Sequence, residues 1–259
     1  MTDSDKTRDR VLSKVRALLA KAESTSFAEE AAALTAKAHE LIASHAIDMA
    51  MIEERTGRGD VDTVMLFVAA PYPKEKFLLL SSVARANNCR AIYGLGPKGF
   101  EILRDEDRLE EMQLAGQFAW IVGYRSDIES VELLFTSLLL QAVNVMIGQG
   151  SVSDWNGTNR TKSFRRSFLV GFANTVDGRL EDASDRATSA AGDTYQTSVL
   201  PVLASRRDAV DAELNEQFPK TSNMKTSVSN YDGIVAGTAA GRLADIGTAR
   251  VGGTRESLR

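Results

Sequence analysis

Residues 11–47, VLSKVRALLAKAESTSFAEEAAALTAKAHELIASHAI, restrict the possible folds more than any other stretch of this chain. Val11, Leu12, Val15, Leu18, Leu19 and Ala22 recur at the spacing that puts one apolar stripe on a 3.6-residue helix. Lys14, Arg16 and Lys21 occupy the other side. Ala31, Leu34, Ala38, Leu41, Ile42 and His45 repeat the pattern, and Ser26 with Glu29 three residues on reads as a capping box that starts the second helix. Two such stripes joined by a polar turn at residues 23–26 hide their apolar faces only against each other or a third surface. The expectation is a helical hairpin with Leu18 and Leu41 in its seam.

This stretch resembles a family known only as a domain of unknown function, the "twenty-seven eighty-six" family, common in actinobacteria and their phages. The residues that carry the resemblance are residues 14–25, Glu29-Glu30-Ala31, Ala36-Lys37-Ala38, Glu40-Leu41 and His45-Ala46-Ile47-Asp48. Trp120-Ile121-Val122-Gly123-Tyr124 and residues 163–173, SFRRSFLVGFA, are similar to the second domain usually found behind the hairpin. The resemblance implies no catalytic residues. It does imply a role, because phage members similar to this chain include recombination directionality factors, which bind a large serine integrase and switch it from integration to excision.

Beyond the hairpin, Asp48 is expected to cap a short helix to Arg55, and Gly57 and Gly59 in a polar run mark a domain boundary. Residues 63–69, TVMLFVA, read as a strand ending at Pro71 and Pro73. Residues 74–87 read as a helix, residues 89–93 and 100–103 as strands, and residues 118–124 as a further strand. A long apolar helix follows over residues 127–147, with Ser126 as N-cap and Glu129 at its third position. After a Gly/Ser/Asn loop, Phe164, Phe168, Phe172, Val176 and Leu180 fall at four-residue intervals on a second long helix. Residues 192–198 read as a loop, residues 201–218 as a charged helix and residues 220–230 as a polar linker. In residues 231–246, Gly233, Gly237 and Gly241 make a small-residue stripe suited to close helix packing.

The expected fold class is α+β: an N-terminal helical hairpin (1–57), a central small, mainly antiparallel sheet covered by long helices (62–187), and a helical C-terminal arm and tail (188–259). With 259 residues, 43% of them hydrophobic, the chain can bury one sizeable core or two small ones.

The chemistry-bearing motifs are few. Gly94-Leu95-Gly96-Pro97-Lys98-Gly99 matches the dinucleotide fingerprint, but a strand rather than a helix is expected after it, so it reads as a hairpin turn. One cysteine, Cys89, and two histidines, His39 and His45, assemble no zinc site, and the histidines read as surface or packing residues. The acidic run Asp105, Glu106, Asp107, Glu110 and Glu111 reads as a solvated face. No nucleophile elbow, P-loop or paired-histidine zincin motif is present. The expectation is a non-enzymatic binding protein with no cofactor and no metal.

Candidate partner-binding residues come from two basic clusters, Lys14, Arg16 and Lys21 on the first helix and Arg160, Lys162, Arg165 and Arg166 at the start of the aromatic one, together with Tyr231. A formal net charge of -4 gives no global field for coating nucleic acid, so DNA contact is expected only through the partner. The N-terminus shows no signal peptide, no apolar stretch is expected to span a membrane, and one cysteine suits a reducing compartment; the cytoplasm of a bacterial host follows. The directionality factor is the specific reading. The alternatives are a nucleic-acid-binding phage or host regulator, and a nuclease or hydrolase with a dispersed site.

Overall fold

The computed structural model describes residues 3–24, 28–56, 59–94, 116–195, 199–244 and 246. Helices α1 (Asp3–Ser24) and α2 (Ala28–Thr56) form the expected hairpin. Its buried seam is one residue away from the one read from the sequence: Val15, Leu19, Ala38 and Ile42 are buried, whereas Leu18 and Leu41 are only partly covered. The proposed Ser26 cap and Glu29 side chain lie outside the described residues. α2 also runs on without a break at Asp48, because Ile47, Ala50 and Met51 continue the apolar stripe and bury it against Val199 and Leu203. His45 is buried in this helix, as a packing histidine would be.

Three antiparallel strands follow: β1 (Val61–Ala69), β2 (Arg90–Tyr93) and β3 (Gly116–Tyr124), in the order β1-β3-β2. Val64 faces Ile121 and Ala91 faces Ile121 from the other side, so β3 is the central strand. Alternation along β3 sorts its side chains. Ala119 and Ile121 enter the main core, while Trp120 and Val122 meet Val210 and Phe218 on the opposite face. Gly123 has a specific reason to be glycine: a Cβ there would overlap the Cys89 sulfur of the neighbouring segment. The strand expected at 100–103 and the acidic run lie outside the described residues, as does the fingerprint loop beyond Gly94.

Helix α3 (Pro73–Ala86) begins with proline in its first turn, where a missing N–H costs nothing. β3 passes directly into α4 (Arg125–Gly148). The sequence-based cap is corrected here, because the helix starts before Ser126, which is buried in the first turn, and the N-cap is Tyr124 without a side-chain cap. Asp127 is instead committed to Arg206, which donates to its Oδ2 at 2.9 Å. α4 is also long and apolar enough to cross a membrane by length and composition, contrary to expectation. One face of it, with Ile128, Val131, Leu134, Leu138 and Ala142, lies in the core of this fold.

α5 (Thr161–Tyr195) carries the phenylalanine stripe and extends past the boundary expected at 187/188. Ala187 and Ala191 are small enough for α5 to pack beside Ile47, Ala50 and Met51, so the helix has a surface to follow. α6 (Leu200–Gln217) covers the second face of the sheet with Val210, Leu214 and Phe218. An extended polar segment leads to α7 (Tyr231–Leu243). Residues from the hairpin, the sheet, α3, α4, α5 and α7 share one hydrophobic core.

α7 sits on α5 with backbone against backbone. A Cβ on Gly233 or Gly237 would overlap the carbonyl oxygen of Phe164 or Phe168, and one on Gly241 would come within 2.8 Å of Thr175 Cβ. From the other side, a Cβ on Gly171 would lie 2.5 Å from the Ile234 carbonyl oxygen. Both ends are tied as well. Ser229 N and Asn230 N donate to the buried Ser167 hydroxyl at 3.4 and 3.2 Å, and Asn230 Oδ1 accepts from Gly233 N at 2.8 Å as the N-cap. Arg179 donates to the Gly241 carbonyl at 2.7 Å and to that of Ala244.

Two stability predictions follow from this packing. Gly237→Ala must push two backbones apart and should cost about 2 kcal/mol or more, whereas Gly178→Ala, at an exposed position of α5 where a Cβ meets nothing within 4 Å, should stabilise by about 0.5–1 kcal/mol. Chemical denaturation of both variants reads the difference, and equal effects would contradict the close contact. In the seam, Ile42→Ala should cost about 2–5 kcal/mol and Leu41→Ala clearly less.

Candidate interaction surface

Because Gly233, Gly237 and Gly241 follow Phe164, Phe168 and Phe172 in the same direction, α5 and α7 are parallel and their N-termini lie at one end of the molecule. The C-terminus of α4 is there too, joined to α5 by residues 149–160. That connection is an ordered hairpin. Ser153 pairs with Asn159, Arg160 N donates to the Val152 carbonyl at 2.7 Å, and Val152 N donates to Thr161 Oγ1 at 2.9 Å. At its tip Asp154 accepts from Asn156 N at 3.0 Å and Thr158 N at 2.9 Å, and pairs with Arg160 Nε at 3.0 Å. Gly157, with φ 78, closes the turn in the left-handed region that glycine tolerates.

This scaffolding presents Trp155, which is 93% exposed. Leaving roughly 200 Å² of indole in water forgoes about 5 kcal/mol of burial. Ile147 at the end of α4, Val228 before α7 and Tyr231 at its start are also exposed, Tyr231 at 79%. With Val145 and Val235, these are six of the eleven large apolar side chains that stand exposed among the described residues. All six belong to the end of α4, the 149–160 turn, and the start of α7 with the segment leading into it, so this end of the molecule carries most of the exposed apolar side chains among the described residues, a concentration of the kind found at binding surfaces.

The basic residues expected as partner contacts divide into two groups. Arg160 is paired with Asp154 and serves the turn, and Arg166 Nε donates to Glu75 Oε1 at 2.6 Å, holding α5 to α3. Glu75 is buried, so Arg166 neutralises a charge that would otherwise be costly to bury, and it is committed to the fold. Beside it, Lys76 donates to the Ala69 carbonyl at 2.8 Å and burial holds its pKa below the ordinary lysine value. Burial, with Glu75 close by, holds the Tyr93 hydroxyl above its usual value. Lys162 is exposed in the first turn of α5, while Arg165 is half-buried with Nε shielded from solvent. Lys162 and Arg165 in the first turns of α5 and Tyr231 at the start of α7 thus lie at the same end of the molecule. Lys14, Arg16 and Lys21 are exposed on α1, and the hairpin they belong to meets the C-terminal half of α5, where Ile42 and Ala46 line a cavity of about 80 Å³ with Leu180, Ala183 and Ser184.

Trp155 is not among the residues that charge patterning singles out; its signal in the sequence is a tryptophan inside the turn sequence Asp154-Trp155-Asn156-Gly157. Among the described residues no group of three His, Cys, Asp or Glu side chains is placed to hold a metal ion. Cys89 is buried, and burial, with the Asp127 charge adding to it, pushes its thiol well above the ordinary value, away from nucleophilic use. The Asp127 carboxylate is neutralised in place by Arg206, whose guanidinium also lies 3.5 Å from the centre of the Tyr124 ring.

Residues 10–49 match the model of a family described as a protein of unknown function (DUF2786), so the hairpin is a member of that family. No curated protein and no solved structure matches the chain.

The turn that holds Trp155 has a testable pH dependence. The backbone hydrogen bond from Thr158, and then Arg160, hold the Asp154 carboxyl below its ordinary value of 3.8. A depressed folded pKa means that the ordering is complete above the unfolded value and is lost as pH falls through the folded one. The indole N–H resonance of Trp155 should therefore shift in a titration below about pH 4, and Asp154→Asn should remove that transition. An identical titration in the variant would contradict the role given to Asp154.

Proposed function

We propose that the chain is a non-enzymatic, protein-binding regulator that works in the cytoplasm of a bacterial host cell, and most specifically a recombination directionality factor for a large serine integrase. The observation that carries the binding reading is Trp155, held almost fully exposed on an ordered turn at the end of the molecule where Tyr231 is also exposed. Tryptophan and tyrosine lead the residues that dominate interface energetics, and a turn fixed in advance reduces the ordering cost of binding. The integrase as partner comes from the family resemblance at the hairpin.

Such a factor needs a surface and no chemistry of its own. Binding one integrase conformation about 100-fold better than another shifts their balance by about 2.7 kcal/mol, well within the reach of one buried tryptophan. Apolar anchors also let the complex form without DNA.

The test mixes purified integrase with each pair of attachment sites, with and without this protein. Added protein should promote recombination of the hybrid sites, inhibit that of the original sites, and co-elute with integrase. Trp155→Ala with Tyr231→Ala should lower affinity at least about 30-fold, since two hot-spot truncations each cost about 1 kcal/mol or more, with the thermal melt unchanged. Unaltered products in both directions without co-elution would defeat the integrase reading, and cleavage of DNA, nucleotides or peptides by the protein with Mg²⁺ or Mn²⁺ would defeat the non-enzyme one.

A further inference from the structure

The exposed face of α1 carries a second kind of surface, chemically unlike the Trp155 end. From Arg10 to Lys21 the sequence RVLSKVRALLAK holds Arg10, Lys14, Arg16 and Lys21 and no carboxylate. All four cationic side chains are exposed, whereas Val15 and Leu19 are buried on the opposite side, so packing fixes which way the cations point. At 100° per residue Arg10, Lys14 and Lys21 fall within about 40° of one another, in a stripe about 16 Å long.

What stands between these cations decides the partner. The exposed positions among them are Ser13, Ala17 and Ala20, all small. A protein interface needs a desolvated apolar or aromatic centre, and this face offers none. A row of long cationic side chains over a flat floor of small residues suits a partner whose negative charges are regularly spaced and solvent-facing, and whose recognition rests on charge alone. The overall charge of -4 does not oppose this, since over the stripe's length solvent screens the remainder at a Debye length of about 8 Å.

We infer that the exposed face of α1 binds the phosphate backbone of nucleic acid, without sequence preference, through Arg10, Lys14 and Lys21. This goes beyond the protein-binding reading and does not depend on it. The two surfaces sit on different elements, so one molecule can hold a protein partner at the Trp155 end while α1 rests on the nucleic acid beside it.

Three phosphate contacts release about three counterions, so the affinity for duplex DNA should fall with a log–log salt slope near -2.7, or about 40-fold between roughly 50 and 200 mM salt. The experiment titrates the full chain into a fluorescent mixed-sequence DNA duplex of about 30 base pairs at several salt concentrations, and repeats it with the triple variant Arg10→Ala, Lys14→Ala and Lys21→Ala. Loss of binding, or a slope close to zero, is expected for the variant, with unchanged circular dichroism and thermal melt, since the side chains are exposed. Trp155→Ala should bind the duplex like the parent protein, and the triple variant should keep the protein partner, so failure here is separable from failure of the proposed function. Absence of duplex binding at about 50 mM salt, or an unaltered slope in the folded variant, overturns the inference. Capture of polyglutamate but not of the duplex, lost in the triple variant, overturns it too and makes the face a site for acidic protein.

Discussion

Much of this structure depends on two helix backbones lying in direct contact. α7 meets α5 through Gly233 and Gly237 with atoms of the main chain, and the carbonyls of Phe164 and Phe168 occupy the space where side chains would stand. Glycine lowers helix stability by about 1 kcal/mol per residue relative to alanine, so α7 depends on this docking to stay helical. The docking has a second effect on α5. With α7 close against one side, Phe164, Phe168 and Phe172 fill the core, the last two rings stacked with centroids 6.4 Å apart.

The sheet shows how few strands suffice when both faces are covered. Three antiparallel strands alone would leave Trp120 and Val122 in water. α6 covers them, and its position is fixed by charge as well as by Phe218. Arg206 reaches the buried Asp127, Arg90 pairs with Asp211 at 2.7 Å, and Arg207 donates to Asn88 at 2.8 Å. The buried Arg206–Asp127 pair adds little net stability against an apolar replacement, but it tolerates only one register, which is what a short charged helix needs.

The elements with a strong period were legible in the sequence. The hairpin, β1, α3, β2, β3, α4, the phenylalanine helix, α6 and the glycine helix are all where the residue pattern puts them, because each exposes or hides one face at a fixed spacing. Errors came where a helix end depends on a distant partner. Asp48 and residues 192–195 look like breaks locally, yet Ile47, Met51, Ala187 and Ala191 find one another across the fold and carry both helices on. Ser126 looks like a cap until Asp127 is seen to be paired with Arg206 from α6, which no local rule contains. The site was legible only as charge. Arg160 and Arg166 were read as partner contacts, whereas Asp154 and Glu75 occupy them, one six residues away and the other from α3. Tyr231 and Lys162 stand exposed at one end of the molecule, for a reason the sequence could not state: the two helices that begin there are parallel.

The surface exists in finished form only if α7 is as firmly held as α5. Tyr231 is placed by α7, Trp155 by the turn that enters α5, and the register between the two helices sets how one stands to the other. A loosely attached α7 would leave a partner to order both, at a cost in affinity. Native-state hydrogen exchange of the free protein tests this most directly. Amides of residues 235–240 should exchange with opening free energies matching those of residues 168–173, near the global stability; exchange as fast as that of the linker at residues 220–229 would contradict the account.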